Sequence, residues 1–272
     1  MKPPTDWALD FFIDKGRLFG EVMRAGREQG IEEARLIAGL LEKHGVPRGS
    51  HVIELGCGIG RVAVPLAREG YRVDCIDISP EYIREALEYA RIAGVEGLFE
   101  GIVGDAWRID EIVDRKYSAA LMVWTTLIGY RGSPESDVEL LSRIRRIVKL
   151  RGKLFILRHM NRDLVAARSV YCGADAVVKE AGDLVVIERP EFDPIKSVLE
   201  NTWTYYRRRG DELKFLGKAK LKLKLYTITE LTGIASNAGW ELEALYGSLR
   251  GDPFIPGRSH VNAVFKRAET NI

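Results

Sequence analysis

The stretch His51–Gly60, HVIELGCGIG, constrains the chain more than any other. It reads as a short apolar strand, His51 to Leu55, running into a glycine-rich turn, with Arg61–Glu69 behind it as a helix. Glycine at positions 56, 58 and 60 lets the backbone turn sharply and lets a ligand approach where a Cβ would collide. The free amides at the start of the following helix favour an anionic or carboxylate-bearing ligand. A dinucleotide fingerprint, G-x-G-x-x-G, would need glycine at 61, and that position is arginine. The chain instead carries E-x-G-x-G-x-G, with Glu54 two residues ahead of the first glycine. Val73–Ile78 reads as the second strand, with Asp77 at its end. A carboxylate about 20 residues beyond the first glycine can accept both hydroxyls of a ribose. The competing role for Asp77 is local, at the helix cap before Ser79-Pro80.

Composition narrows the class. With 272 residues, 46% hydrophobic and 29% charged, the chain holds one large α/β domain or a domain with an insertion. A net charge of +2 leaves no global nucleic-acid footprint. Cys57, Cys75 and Cys172 lack metal-ligand spacing, and no metal site is expected. Two of the cysteines fall on or beside buried strand positions, as small apolar residues do in a reducing cytosol. MKPPTDW has no apolar core of a signal peptide, and no apolar run approaches membrane-spanning length. A cytoplasmic location is the expectation.

Asp6–Phe19 and Ile31–His44 carry helical periodicity, with Trp7, Phe11 and Phe12 forming an aromatic patch that serves either as core or as a lid. After the glycine turn, strands and helices alternate. Glu81–Gly94 is a helix capped by Ser79, Phe99–Val103 a third strand, and Tyr117–Leu127 a fourth, apolar throughout. Ser136–Val148 is a helix and Lys153–Leu157 a fifth strand. Repeated β-α units imply a parallel sheet with right-handed crossovers. Then the period changes from 3.6 to two. Lys218, Lys220, Lys222 and Lys224 alternate with apolar residues, Thr202–Arg208 precedes them across the Arg209-Gly210-Asp211 turn, and Leu184–Glu188 is a third antiparallel partner. Helix returns at Glu230–Ala238 behind a Thr227/Glu230 capping box, and Trp240–Tyr246 with His260–Lys266 closes the sheet. The expectation is a seven-stranded, mostly parallel Rossmann-like sheet with helices on both faces. Residues 1–45 form a helical lid, 46–182 and 227–272 the core, and 183–226 an antiparallel β insertion.

The E-x-G-x-G-x-G turn and Asp77 resemble motif I and the ribose-binding acid of class I S-adenosylmethionine-dependent methyltransferases. The order of elements resembles their full core, from about Val46 to Lys266. TTLIGY, RGKLFIL, Asn161-Arg162 and LYTITELTGIASNAGW resemble a subgroup acting on small molecules, often with such a β insertion. The resemblance implies S-adenosylmethionine as cofactor, held by Glu54, Gly56, Gly58, Gly60, Asp77, Ile78, Asp105, Ala106, Trp107 and Val123. Asp105 would face the adenine amino group, with Ala106 and Trp107 flanking the ring. The fourth strand ends in Met122-Val123-Trp124-Thr125 rather than Asn-Pro-Pro-Tyr, which argues against adenine N6 or glutamine amide as acceptor.

Because ligands sit outside the carboxyl ends of parallel strands, Thr125, Thr126 and Tyr130 after the fourth strand, and Arg158, His159 and Asn161 after the fifth, are acceptor-side candidates. Tyr206, Tyr226 and Trp203 of the insertion join them. His159 is the candidate general base, by its ordinary pKa of about 6.5. The expected activity is methyl transfer to a small molecule. The alternatives are an RNA- or ribosome-directed methyltransferase using the basic 196–224 ribbon, with nine Lys/Arg against three Asp/Glu, and a non-catalytic adenosylmethionine-binding protein. The insertion either builds the acceptor pocket or pairs its edge with a second subunit.

Overall fold

The computed structural model describes residues 6–124, 126–171 and 176–268. The chain opens with α1 (Asp6–Leu9), a π turn at Asp10–Asp14, α2 (Gly16–Ala25) and α3 (Arg27–Lys43). The α/β core then runs β1 (His51–Leu55), α4 (Ala63–Arg68), β2 (Arg72–Asp77), α5 (Pro80–Ile92), β3 (Phe99–Val103), α6 (Ile109–Ile112), β4 (Tyr117–Val123), α7 (Pro134–Ile147) and β5 (Val148–His159). After α8 (Arg162–Tyr171) come β6 (Val177–Ala181), β7 (Leu184–Asp193), β8 (Val198–Arg209) and β9 (Glu212–Lys224). The chain closes with α9 (Ile228–Asn237), β10 (Trp240–Tyr246) and β11 (Val261–Arg267).

The main sheet has the order β10-β11-β5-β4-β1-β2-β3, all parallel except β11. This is the Rossmann-like architecture the alternating pattern implied. Strand order reverses beside β1, between β2 and β4, which places a ligand crevice at the carboxyl ends there. Apolar residues of β1, β4 and β5 point alternately to two cores. One is built with α3, α4 and α5 around Ile37, Leu41, Val64 and Phe155, the other with α7 and α9 around Ile53, Leu140, Ile144 and Trp240. Burial on both faces explains why β4 reads as a continuous apolar run.

The insertion is larger than the 183–226 segment expected. It is a four-stranded antiparallel sheet, β6-β7-β8-β9, that begins at Val177 and is reached through α8. β6 escaped the periodicity because four of its five residues are exposed, so it carries no alternation. The sheet is anchored where it rejoins the core. Lys224 N–H donates to Gly129 O at 3.0 Å, and Tyr226 Oη donates to Asp137 Oδ2 at 2.6 Å. A Cβ on Gly129 would lie 2.0 Å from the Lys224 carbonyl oxygen, so this close approach admits glycine alone. The inner face of the sheet, with Leu184, Val186, Trp203 and Tyr205, packs on the N-terminal segment. Phe11 stands 5.5 Å and Phe19 5.6 Å from Trp203, ring centre to ring centre. The aromatic patch at Trp7–Phe19 is therefore core and cover at once: it is buried by the insertion while it lies over the strand ends.

Candidate functional site

The loop after β1 is built as its glycines dictate. Gly56, Gly58 and Gly60 have φ of +67°, +55° and +72°, where a side chain is strained. Gly56 and Cys57 both donate backbone N–H to Ile76 O, pinning the loop to β2. Cys57 and Cys75 are joined in a disulfide, with Cα atoms 5.8 Å apart. This corrects the expectation of separate reduced thiols. The turn folds Cys57 back beside the neighbouring strand, a proximity that a spacing of 18 residues does not reveal. Cys172 lies outside the described residues.

Asp77, at the tip of β2, is buried. Its Oδ2 accepts Gly58 N–H and its Oδ1 accepts Ser79 N–H, both at 2.9 Å. Ser79 itself caps α5 by accepting Tyr82 N–H. Asp77 thus links the glycine loop to the helix cap, and each oxygen keeps a lone pair for a further donor. Burial pushes its carboxyl up to about 6. Ile78 beside it is half-buried. Glu54 is buried under the loop, and burial pushes it up to about 8 against the pull of Arg61. The Ala63 amide at the start of α4 favours its charged form, while Oε2 finds no partner among the described residues. Glu54 therefore supports the loop from beneath.

At the tip of β3, Asp105 Oδ1 accepts Trp107 N–H at 3.0 Å, and Ala106 and Trp107 are buried. The Arg131 guanidinium lies 4.5 Å over the Trp107 ring and 3.8 Å from Asp105 Oδ2. Val123 is buried at the end of β4, and its carbonyl accepts Thr126 Oγ1–H. Tyr130 stacks with Phe12, meets Trp7 edge-on at 4.8 Å and lies 6.3 Å from Trp107. The N-terminal segment, the loop after β4 and the Asp105–Trp107 turn therefore converge on one place. Thr125 lies outside the described residues.

The other acceptor-side candidates separate. Arg158 sits at the strand ends. Asn161 is consumed locally, its Oδ1 accepting Leu164 N–H at the start of α8 and its Nδ2 donating to Ser259 O. Tyr226 is spent on Asp137, as above. Tyr206 stands on the outer face of the insertion sheet, 6.0 Å from exposed Phe215, because strand alternation sends it opposite to Tyr205 and Trp203. His159 is buried, neither ring nitrogen has a partner among the described residues, and burial with nearby His260 pushes it down to about 4.

Sequence reasoning missed three residues that only packing brings here. Met23 of α2 sits against Gly58, where a Cβ would meet its Sδ at 2.7 Å. Glu33 of α3 is a buried carboxylate that accepts Trp124 Nε1–H at 2.8 Å and pairs with Arg61 at 2.9 Å. The available signal was a charged residue at helical spacing from Ile37 and Leu41, on the apolar face of α3. In the sequence Trp124 reads only as part of the strand end.

Residues 52–152 match a family model described as a methyltransferase domain. The match covers β1 to the start of β5, the part of the chain that carries the glycine loop and Asp77. The Rossmann-like fold is shared with solved methyltransferase structures. The CcbJ methyltransferase from Streptomyces caelestis aligns over 88% of this chain and 90% of its own, with a TM-score of 0.71 and 20% identity. A ubiquinone biosynthesis O-methyltransferase of Xylella fastidiosa strain 9a5c is 30% identical over 135 residues, 48% of this chain and 50% of that protein. An S-adenosyl-L-methionine-dependent Diels-Alderase, iliD, of Neonectria sp. strain DH2 is 38% identical over 70 residues, 26% of this chain and 27% of that protein. The match thus spans half or less of these two relatives. None of the described helices is long and apolar enough to cross a membrane.

Proposed function

We propose that this chain is an S-adenosylmethionine-dependent methyltransferase acting on a small molecule. The carrying observation is Asp77, a buried carboxylate held by Gly58 and Ser79 at the switch point of the sheet, with lone pairs still open toward the crevice. The glycine loop is a cradle that side chains would fill, so the residues fit the cofactor. When bound, S-adenosylmethionine supplies a methyl group already activated by its sulfonium. Asp77 would hold the ribose hydroxyls, and Asp105 the adenine amino group, with Ile78, Ala106 and Trp107 beside the ring. Glu54 and the disulfide would keep the loop in shape. The N-terminal segment and the inner face of the insertion would exclude water and align the acceptor, the part of catalysis that proximity supplies. His159, neutral with a pKa near 4, is a poor proton acceptor at neutral pH, so an acceptor that must lose a proton does so without it. The lysine ribbon is partly spent inside the sheet, since Lys220 and Lys222 both pair with Glu200, which disfavours a nucleic-acid track.

Adenosylmethionine and adenosylhomocysteine should bind and raise the melting temperature, and NAD should do neither. Asp77→Ala should weaken adenosylhomocysteine roughly tenfold or more. Micromolar NAD binding without adenosylmethionine binding would refute the assignment. The kinship with a Diels-Alderase keeps a second reading, cofactor binding without methyl transfer. Cofactor consumption with a 14 Da mass gain on an acceptor separates the two.

A further inference from the structure

We propose that Arg158, backed by Trp124 and Arg61, binds an anionic group, a carboxylate or a phosphate, carried by the methyl acceptor. β4 and β5 end side by side, with Val123 opposite Leu157. The residue just beyond Val123, Trp124, and the residue just beyond Leu157, Arg158, have φ of +65° and +55°. Non-glycine residues rarely take this conformation, and it persists only where the surroundings hold it. Here they do: Trp124 N–H donates to Leu157 O and Arg158 N–H to Asn262 Oδ1, each at 3.0 Å. The two strained residues aim their side chains at one another, with the Arg158 guanidinium 4.1 Å over the indole and the Arg61 guanidinium 5.5 Å from the same ring.

Among the described residues one carboxylate, Glu33, pairs with this cluster, and it is already used. Glu33 accepts from Trp124 Nε1, Arg61 and Gln29 at 2.8–2.9 Å. Arg158 keeps only a longer ion pair with it. Its Nε lies 3.6 Å from Glu33 Oε1 and makes no hydrogen bond among the described residues, while 29% of the side chain faces solvent. A further cation, Arg168, stands near enough to act on the neighbouring His260. His260, near Trp124, is pushed down to about 4 by burial and then by Arg168 and Arg158. Glu54, pushed up by burial to about 8, is uncharged near neutral pH. A guanidinium held 4.1 Å over an indole, short of acceptors, at the carboxyl ends of the central strands, suits bidentate capture of a planar or tetrahedral anion. The assignment to the acceptor rests on the methyltransferase reading; the anion contact does not.

The test uses the full chain with inorganic phosphate as probe, at constant ionic strength, with and without saturating adenosylhomocysteine. Phosphate should raise the melting temperature of the parent. Arg158→Gln and Arg158→Asn should lose that shift, and Arg158→Lys should keep part of it. Asparagine tolerates the left-handed conformation, so Arg158→Asn separates lost binding from lost folding. Adenosylhomocysteine affinity should stay within about twofold in these variants, because its contacts lie elsewhere, whereas phosphate should weaken about tenfold or more. An equal phosphate shift in parent and variants overturns the proposal. A tenfold loss of adenosylhomocysteine affinity in Arg158→Asn, with 5′-methylthioadenosine affinity unchanged, also overturns it, because the anion is then the cofactor's own carboxylate. If adenosylhomocysteine binds none of the proteins, the methyltransferase reading falls, and the phosphate response alone still decides the anion site.

Discussion

Cys57 carries the most local consequence of the fold. It lies between two left-handed glycines, and its bond to Cys75 ties that freely rotating stretch to a buried strand. Cross-linking residues 18 apart removes loop entropy from the unfolded chain, on the order of 3 kcal/mol. Reducing agent should therefore lower the melting temperature by roughly 5–10 °C. In a Cys57→Ala/Cys75→Ala double variant reductant should have no further effect. An unchanged melting temperature of the parent under reductant would show that the bond adds nothing to stability. Asp77 illustrates the same economy at one side chain, since its carboxylate braces the loop and remains open to a ligand.

Among elements, the telling contact is between α1–α2 and the insertion sheet. Neither would bury its aromatic residues alone. Phe11, almost fully buried, has Phe12, Phe19 and Trp203 around it at 5.0–5.5 Å. Arg207 of β8 adds a bidentate pair to Glu21 of α2, and Tyr82 Oη of α5 donates to Gly16 O. Phe11→Ala should cost about 3 kcal/mol at this junction. Because the main sheet does not depend on it, the loss should show as faster limited proteolysis between Leu9 and Arg27, with the global unfolding transition retained. Cleavage rates equal to the parent's would mean that the segment is held by other contacts.

Across the whole molecule, buried ionisable groups set how stability responds to pH. Burial raises Glu54, Asp77 and Asp137, so the folded state holds protons that the unfolded chain releases. Their contribution is present at low pH and is lost as pH rises through the folded values. His159 and His260 are lowered, so their contribution is present above about pH 6.5 and is lost as pH falls toward 4. Of these five, only Glu54, at about 8, still titrates in the folded state between pH 6.5 and 8. Over that window the ligand-free chain should lose up to about 2 kcal/mol, and Glu54→Gln should flatten the slope. Denaturant melts across the window check this, and an identical slope in the variant would assign the effect to other groups.

The α/β order, the glycine loop, the acid at the tip of β2 and the antiparallel character of the insertion were written in local patterns: period two or 3.6, glycine spacing, caps. These are legible because each depends on neighbours within a few residues. The pairing of Cys57 with Cys75, the burial of Glu33, the meeting of Trp124 with Arg158, and the outward turn of Tyr206 were not. Each joins residues far apart in the chain or depends on which face of a strand is covered. Local periodicity says that a residue is on a strand or helix. Only the packing of the N-terminal helices and the insertion over the carboxyl ends of β1, β4 and β5 decides what its side chain meets, because that contact is made by tertiary burial and not by local conformation.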